Sequence, residues 1–264
     1  YFKLRRRLSQ TVEAVLEYQP DLLITIDSPE FCLRVAKKVR AANLNIRTIH
    51  YVAPTVWAWR PKRAKKMAHF IDHVLALFPF EPPYMEAEGM DCDFVGHPIA
   101  AMGPIAPKKI SSFQKKYKID PVQPSLVILP GSRLSEVQRL LPIFCNVLRR
   151  NEFSNFQLIF PTLPHLREYI ANVISDLPHK TYVITGQNLT AEEATQQRFV
   201  AFSSAQVALA ASGTVSLELA SVGTPMVIAY DMSWLSRWVI NTMLRIDTVS
   251  LVNLISKTRD IPEL

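Results

Sequence analysis

The feature that most constrains the fold of this chain is the alternation of short apolar runs with amphipathic segments. Between the first two runs, Phe31, Val35 and Val39 recur at a spacing of four, which is typical of one face of a helix. Repeats of strand, helix and strand favour a parallel, doubly wound sheet, because parallel strands need a crossover connection. The runs predicted as strands are, in chain order, residues 21–27, 46–52, 73–78, 92–95, 125–129, 156–160, 181–184, 206–209 and 225–229.

A stretch rich in proline separates these runs into two series. Residues 103–123 hold Pro104 and Pro121 on either side of a Lys-rich segment that predicts a short helix. A length of 264 residues suits two domains of about 130 residues, each large enough for its own core. We therefore predict an α/β protein of two domains, residues 1–120 and 121–264, with a cleft between them.

Composition and charge exclude several classes of protein. Apolar residues make up 48% of the chain and charged residues 20%, which excludes a disordered or fibrous chain. No apolar run reaches the roughly 20 residues that cross a bilayer, and the 3 cysteines are too far apart in sequence for a disulfide framework or a zinc ribbon.

The positive charge of the chain lies in its first half. Residues 1–120 carry 19 Lys and Arg against 12 Asp and Glu, so the net charge of +7 belongs to that half. A one-sided positive field indicates an anionic partner, which is nucleic acid, a phospholipid surface or a phosphorylated substrate.

Asp27 ends the first predicted strand, and Ser28-Pro29 breaks the chain before the next helix. Ligands of open parallel sheets bind outside the carboxyl ends of the strands. Asp27 is therefore a candidate catalytic carboxylate. The sequence leaves open the alternative that Asp27 only caps the helix that follows.

Two turns that follow predicted strands combine glycine with small hydroxyl residues. The first ends at Arg133, which can fork onto a phosphate, although the turn lacks the spacing of a P-loop. In the second, Ser212, Gly213 and Thr214 precede a helix whose first N–H groups favour an anion. Glu218, one turn further on, can accept both hydroxyls of a ribose. The alternative interpretation is that both turns only connect a strand to a helix and that Glu218 faces solvent.

An aromatic and basic segment, residues 57–66, joins two tryptophans to five cations. This mixture suits an interface with anionic lipid or with single-stranded nucleic acid, and a solvated helix face with one buried tryptophan is the alternative. A second amphiphilic segment, residues 234–245, suits the same interface or the core. His97 follows the first series of strands near the expected cleft. The sequence is compatible with a catalytic or ligand-binding role for His97 and with a purely structural one. The residues that we assign to substrate or membrane contact in the first segment are Trp57, Trp59, Arg60, Lys62 and Arg63.

Longer motifs of the chain resemble the lipid-A-disaccharide synthase family. The run Tyr51–Trp59 is specific to that family, whereas the turn that joins Ser212 to Glu218 is shared by other two-domain nucleotide-sugar transferases. The resemblance covers essentially the whole chain. The matching motifs, in the order in which the family has them, are residues 27–31, 49–60, 77–81, 95–98, 129–133 and 211–218, Tyr230, and residues 249–254 and 262–264.

The resemblance implies a GT-B fold of two Rossmann-like domains, with the acceptor on residues 1–120 and the UDP-sugar on residues 121–264. It implies an inverting transfer from UDP-2,3-diacylglucosamine to 2,3-diacylglucosamine 1-phosphate. The products would be UDP and the β-1,6 lipid A disaccharide 1-phosphate. No metal, no cofactor and no nucleic acid are expected.

The resemblance also implies roles for individual residues and a location. Asp27 would be the base that acts on the acceptor hydroxyl. The partners would be the two lipid substrates and an anionic membrane surface, with the protein cytoplasmic and peripheral at the inner face of the bacterial inner membrane. A homodimer is compatible with the resemblance. The residues expected on the donor side are Arg133, Ser212, Gly213 and Thr214 at the diphosphate, Glu218 at the ribose, and Asn253.

The chain departs from the family at both ends. The glycine-rich loop with which the family opens is absent, and the chain stops at Leu264, so we expect a chain shortened at both ends. Two alternatives to the transferase stay open on the sequence. One is another UDP-sugar enzyme of the same fold, such as a UDP-sugar epimerase, and the other is a truncated module that binds UDP without turnover.

Overall fold

The computed structural model describes residues 2–43, 45–231, 248 and 250–264. The described residues fall into two compact units. The first runs to His97, and the second begins at Pro98. The amphiphilic segment 234–245 lies outside the described residues.

The first unit is a four-stranded parallel sheet in the order β1-β2-β3-β4. Every pair of neighbouring strands is parallel, with Thr25 of the first strand opposite His50 of the second. The parallel arrangement predicted from the alternating runs is therefore confirmed here. Its elements are α1 (Phe2–Tyr18), β1 (Leu22–Ile26), α2 (Pro29–Ala42), β2 (Arg47–Tyr51), α3 (Lys62–Met67), β3 (His73–Ala76), α4 (Pro82–Glu86) and β4 (Asp91–Phe94).

The second unit is a five-stranded parallel sheet in the order β7-β6-β5-β8-β9. The chain winds outward from β5 through β6 to β7 and then returns to the other side of β5 for β8 and β9, so the direction of winding reverses between β5 and β8. Its elements are α5 (Pro107–Tyr117), β5 (Ser125–Leu129), α6 (Leu134–Leu148), β6 (Gln157–Thr162), α7 (Arg167–Val173), β7 (Thr181–Thr185), α8 (Ala191–Ser203), β8 (Val207–Ala211), α9 (Val215–Ser221), β9 (Met226–Ala229) and α10 (Leu251–Ser256).

The second sheet is covered by helices on both faces. All five residues of β5 are buried, and alternate residues of this strand belong to two different core clusters. Val127 packs with Phe199 and Phe202 of α8, whereas Ile128 packs with Leu141 and other residues of α6. A strand buried on both sides explains the unbroken apolar run in the sequence.

The first strand is less buried than its apolar run suggests. Leu22, Ile24 and Ile26 are 41%, 51% and 63% exposed, whereas Thr25 on the other face is buried. Side chains alternate between the two faces of a strand, and among the described residues no helix covers the outer face of β1. An unbroken apolar run is typical of a strand buried on both faces, and β1 is buried on one face only.

The division between the units differs from the sequence boundary at residues 120 and 121. The segment from Pro98 to residue 120 belongs to the second unit. Phe113 of α5 and Ile119 are both buried in the core cluster that contains Val127 of β5. Proline content therefore marks the segment that joins the two series of strands, but the core contacts decide which unit contains it.

Within the described ranges, no helix combines the length and the apolar character needed to cross a bilayer.

Candidate functional site

A cavity of about 660 Å³ lies at the carboxyl edge of the second sheet. The loops that follow β5 and β8 both line it, and these are the two strands between which the winding reverses. Open α/β sheets bind ligands at this position, because the two loops diverge there and leave a crevice. The cavity brings together five residues that the sequence predicted for the donor side, namely Arg133, Ser212, Gly213, Thr214 and Glu218.

The loop after β5 is folded around Glu136, which the sequence analysis did not single out. The Glu136 carboxylate accepts hydrogen bonds from the backbone N–H groups of Ser132 and Arg133 at 3.1 and 3.2 Å. Although burial opposes it, the bonds and the charge of Arg133 hold the Glu136 pKa below its ordinary value. Gly131 makes this packing possible, because a Cβ there would lie 2.6 Å from the Glu136 Cβ.

Arg133 is paired through one guanidinium nitrogen, and the rest of its side chain is open to solvent. Its Nη1 lies 2.5 Å from Glu136 Oε1, yet its side chain is 77% exposed. The guanidinium carries five N–H donors in a planar fork, so pairing with one carboxylate leaves donors for an anion in the cavity. This geometry is compatible with the predicted contact to a diphosphate.

The loop after β8 turns sharply at Gly213. Its φ of +147° lies in the region that favours glycine. Ser212 N donates to Ala229 O at 3.1 Å, and the Ser216 hydroxyl donates to Gly213 O at 2.8 Å. These bonds hold the backbone of the loop against β9 and α9, so that the loop forms one wall of the cavity together with Thr214.

Glu218 faces the cavity as half of an ion pair. Arg198 Nη2 of α8 lies 2.9 Å from Glu218 Oε1, and the Glu218 side chain is 17% exposed. Burial raises the pKa of Glu218, and the positive charge of Arg198 partly opposes that rise. The solvent-facing glutamate considered above is therefore excluded.

Arg198 and Thr162 are cavity residues that the sequence analysis missed. Within the described part of the chain, Arg198 Nε and Thr162 Oγ1 are buried without a hydrogen-bond partner. Both residues line the cavity. Buried polar atoms are normally paired, so two orphans in one cavity indicate a polar ligand. The only signal in the sequence was a lone arginine beside the apolar pair Phe199-Val200.

Asn253 does not lie among the described residues that line the cavity. It is 1% exposed. Its side-chain nitrogen donates to Ile261 O and to Glu263 Oε1 at 2.9 and 2.8 Å, and its side-chain oxygen accepts from Ile261 N at 3.0 Å. These bonds tie α10 to the last residues of the chain, so the structure gives Asn253 a structural position instead of the predicted one on the donor side.

Asp27 is exposed at the carboxyl end of β1, in a bend of unusual backbone. Asp27 and Ser28 have φ values of 48° and 43°, and Val52 at the end of the neighbouring β2 has a φ of 77°. Such values are uncommon outside glycine, and they concentrate at functional sites. The residue in the N-cap position of α2 is Ser28. The alternative role of Asp27 as the helix cap is therefore not observed.

His50 lies fully buried in the sheet next to this bend. The Thr25 hydroxyl lies 3.2 Å from Ile49 O and 2.8 Å from His50 Nδ1, so it bonds both groups. The other ring nitrogen, His50 Nε2, is buried and has no hydrogen-bond partner among the described residues. Burial lowers the pKa of His50 to about 4, against the opposing effect of the Asp27 charge. A neutral histidine is thus built into the sheet beside Asp27.

The residues predicted for substrate or membrane contact separate into buried and exposed ones. Trp57 is 6% exposed, and its Nε1 donates to the buried Glu81 carboxylate at 3.1 Å. The prediction of a surface role for Trp57 is therefore corrected, since its indole N–H and ring are both used in the core. Trp59 is 37% exposed, and Lys62 is exposed at the start of α3.

His97, for which the sequence left a ligand role and a structural role open, stacks on Phe78 with ring centroids 6.0 Å apart. Partial burial lowers the pKa of His97.

No group of three His, Cys, Asp or Glu side chains within the described ranges is arranged to hold a metal ion.

Comparison with protein families gives a match along the whole chain. The model of the Lipid-A-disaccharide synthetase family matches residues 1–264. The lipid-A-disaccharide synthase of Ruegeria pomeroyi is 50% identical over 265 residues, which cover 100% of this chain and 66% of that protein. The enzyme of the same name from Rhodospirillum centenum is 43% identical and covers 99% and 63%.

Solved structures resemble this chain at the level of the fold. A UDP complex of S. aureus MnaA has a TM-score of 0.61 at 14% identity, covering 96% of this chain and 70% of that one. The UDP-GlcNAc 2-epimerase of Neisseria meningitidis bound to UDP-GlcNAc gives the same TM-score and identity, covering 96% and 71%. Together with the parallel sheets, these likenesses confirm the GT-B fold class expected from the sequence.

The chain spans 66% and 63% of the length of the two curated relatives described above. The family model covers it from the first residue to the last, and the motifs at residues 27–31, 129–133 and 211–218 follow the carboxyl ends of β1, β5 and β8. The chain belongs to the Lipid-A-disaccharide synthetase family.

Proposed function

We propose that this protein is an inverting glycosyltransferase that joins UDP-2,3-diacylglucosamine to 2,3-diacylglucosamine 1-phosphate. The products are UDP and the β-1,6 lipid A disaccharide 1-phosphate. One observation carries the proposal. In a chain of this family, five of the six residues expected on the donor side line a single cavity at the point where the winding of the second sheet reverses.

The donor side of the reaction follows from the charges of this cavity. A leaving UDP gains negative charge on its diphosphate, and Arg133 offers guanidinium donors at the cavity entrance. Glu218, held by Arg198, offers carboxylate oxygens to the two hydroxyls of the ribose. The orphaned polar atoms of Thr162 and Arg198 gain partners when a nucleotide fills the cavity.

The acceptor side requires a base and a single displacement. In our proposal Asp27 takes the proton from the 6-hydroxyl of the acceptor as that oxygen bonds to C1 of the donor sugar. The bond from C1 to the diphosphate oxygen breaks in the same step, and its electron pair leaves with UDP. Attack from the face opposite the leaving group inverts the configuration at C1, which yields the β linkage.

We also propose that the protein associates peripherally with the cytoplasmic face of the bacterial inner membrane. Support comes from the positive charge of residues 1–120 and from the exposed Trp59 and Lys62, which suit an anionic headgroup region. The homodimer compatible with the resemblance stays a prediction.

The proposed function is tested by supplying both lipid substrates in nonionic detergent micelles and identifying the products by mass spectrometry. We expect the disaccharide 1-phosphate with the wild type and its loss with Asp27→Asn. UDP-diacylglucosamine supplied alone is the control for the epimerase alternative. Formation of an epimer of that sugar nucleotide, without any disaccharide, would contradict the proposal.

A further inference from the structure

Three arginines of the first unit share one carboxylate. Arg34 Nη2 lies 3.0 Å from Glu30 Oε2, and Arg60 Nη1 lies 3.3 Å from Glu30 Oε1. Arg63 Nη2 pairs with the same Oε1. We call these four residues the Glu30 cluster. The carboxylate is central to it, and the Glu30 side chain is still 59% exposed, so the cluster is open to solvent.

Two of these arginines are held in place before any ligand arrives. The Arg60 guanidinium lies 4.2 Å from the centre of the Trp59 ring, and that of Arg63 lies 5.9 Å from it. The ring itself is anchored, because Trp59 Nε1 donates to Thr55 Oγ1 at 2.9 Å. Arg60 also adopts a left-handed backbone with a φ of 51°, and the surrounding contacts must sustain this conformation. Fixing the side chains in advance lowers the entropy that binding costs.

The charges of the Glu30 cluster do not balance. Three guanidinium groups carry three positive charges, and the single carboxylate cancels one of them. A phosphate monoester carries about −1.5 to −2 charges at pH 7 and brings the cluster close to neutrality. A phosphodiester, with one charge, would leave it positive. Arg34 and Arg60 are 56% and 50% exposed, so N–H donors that Glu30 does not use face solvent.

The position of the cluster relates it to the candidate base. Glu30 follows Asp27 by three residues, which can span at most about 11 Å of chain. The phosphate of the proposed acceptor is on C1 and its reacting hydroxyl is on C6, so both groups belong to one sugar residue. A group that holds the phosphate next to Asp27 would therefore orient the ring for deprotonation of that hydroxyl.

We infer that the Glu30 cluster binds the phosphate monoester of the acceptor lipid and so distinguishes phosphorylated from unphosphorylated acceptors. This inference rests on the proposed function, since it identifies the part of the acceptor that these arginines recognise. Arg34 and Arg60 bind the phosphate oxygens through their exposed donors, and Glu30 keeps the guanidinium groups together when the site is empty.

The test compares two acceptors that differ only in the phosphate. Binding of 2,3-diacylglucosamine 1-phosphate and of 2,3-diacylglucosamine to the full chain is measured by fluorescence titration in nonionic micelles. We expect Arg60→Ala to weaken binding of the phosphorylated lipid by about 10- to 100-fold, as for the loss of a charge-assisted contact. Binding of the unphosphorylated lipid should not change.

A matched control keeps the change in charge the same. Lys66 lies exposed on α3, the helix that also carries Arg63, and it has no part in the cluster. We expect Lys66→Ala to bind both lipids as the wild type does. An equal loss with Lys66→Ala and Arg60→Ala would overturn the inference, because general positive charge would then account for the binding.

Anionic headgroups of a bilayer are the other source of phosphate. Binding to vesicles of phosphatidylglycerol and of phosphatidylcholine is measured for the wild type and Arg60→Ala. If Arg60→Ala loses binding to phosphatidylglycerol vesicles and keeps its preference for the phosphorylated acceptor, the cluster binds the membrane and the inference is wrong. Both assays measure binding without turnover, so they remain decisive if the protein forms no disaccharide.

Discussion

Arg198 and Glu218 form an ion pair of 2.9 Å between α8 and α9, at the wall of the cavity in the second unit. The pair opposes the tendency of burial to protonate the glutamate, because the arginine charge lowers the pKa of Glu218 while desolvation raises it. Glu218 can accept hydroxyl groups of a ribose with both oxygens only when it is ionised. The arginine thus maintains the protonation state that the proposed donor site needs.

We predict that Arg198→Ala weakens binding of UDP by about 10-fold at pH 7.5, since one charged contact is lost. Without the arginine the Glu218 pKa rises further. Affinity for UDP should therefore start to fall at a higher pH than in the wild type when the solution is acidified. Isothermal titration with UDP between pH 5.5 and 8 measures both effects. Identical pH profiles for the two proteins would show that Arg198 does not act through Glu218.

Gly131→Ala should disturb the loop that carries Arg133. The new Cβ would lie 2.6 Å from the Glu136 Cβ, and the φ of +132° is itself unfavourable for alanine. We expect a loss of about 1–3 kcal/mol in the free energy of unfolding, measured with urea, together with weaker binding of UDP. Gly103→Ala is the control, because a Cβ at Gly103 meets nothing within 4 Å. A variant Gly131→Ala as stable as this control would contradict the packing described here.

The residues that could be predicted from the sequence are those fixed by their place at the end of a strand. Asp27, Arg133 and the turn from Ser212 to Thr214 each follow an apolar run, and parallel strands bring their carboxyl ends to one edge of a sheet. The pattern of runs therefore predicted the parallel sheets and the place of five residues that line the cavity.

The residues that could not be predicted depend on partners far away in the chain. Trp57 is buried because Glu81, 24 residues later, accepts its indole N–H. Arg198 belongs to the cavity because Glu218, on another helix, pairs with it. Asn253 looked like a ligand for the donor because the family motif contains it, yet contacts with Ile261 and Glu263 use its side chain. Neither the periodicity of the sequence nor a local motif indicates which residues contact each other when they lie far apart in the chain.

His50 should make the stability of the protein depend on pH. Its pKa in the folded protein is lowered to about 4 from 6.5, so the folded state binds fewer protons than the unfolded state between these values. The free energy of unfolding is therefore highest, as far as His50 is concerned, above pH 6.5. It falls as the pH falls towards 4, because the unfolded state takes up a proton that the folded state does not. A pKa shift of this size corresponds to a change of about 3 kcal/mol in the free energy of unfolding.

Urea denaturation at pH 7.5 and pH 4.5 checks this prediction in the wild type and in His50→Gln. The difference between the two proteins removes the effects of other groups, including Glu81, whose pKa is raised by burial. We expect the wild type to lose more stability on acidification than the variant. Equal losses would mean that His50 does not titrate in this range.

Asp27→Asn tests the role of the base separately from the donor site. The variant removes the proton acceptor but keeps the shape of the side chain, and Asp27 lies in a different unit from the cavity. We expect kcat to fall by about 100- to 10,000-fold, with unchanged affinity for UDP by titration. Asp21→Asn, at the opposite end of β1, is the matched control and should keep full activity. Loss of UDP binding together with turnover would contradict a role as the base.

The central claim is that UDP leaves because a second lipid takes the sugar. The most direct test measures, by liquid chromatography of one reaction mixture, the UDP released and the disaccharide formed, with and without 2,3-diacylglucosamine 1-phosphate. We predict one UDP for each disaccharide, and no release above background when the acceptor is left out. UDP release that does not depend on the acceptor, or consumption of the sugar nucleotide without disaccharide, would contradict the assignment as a glycosyltransferase.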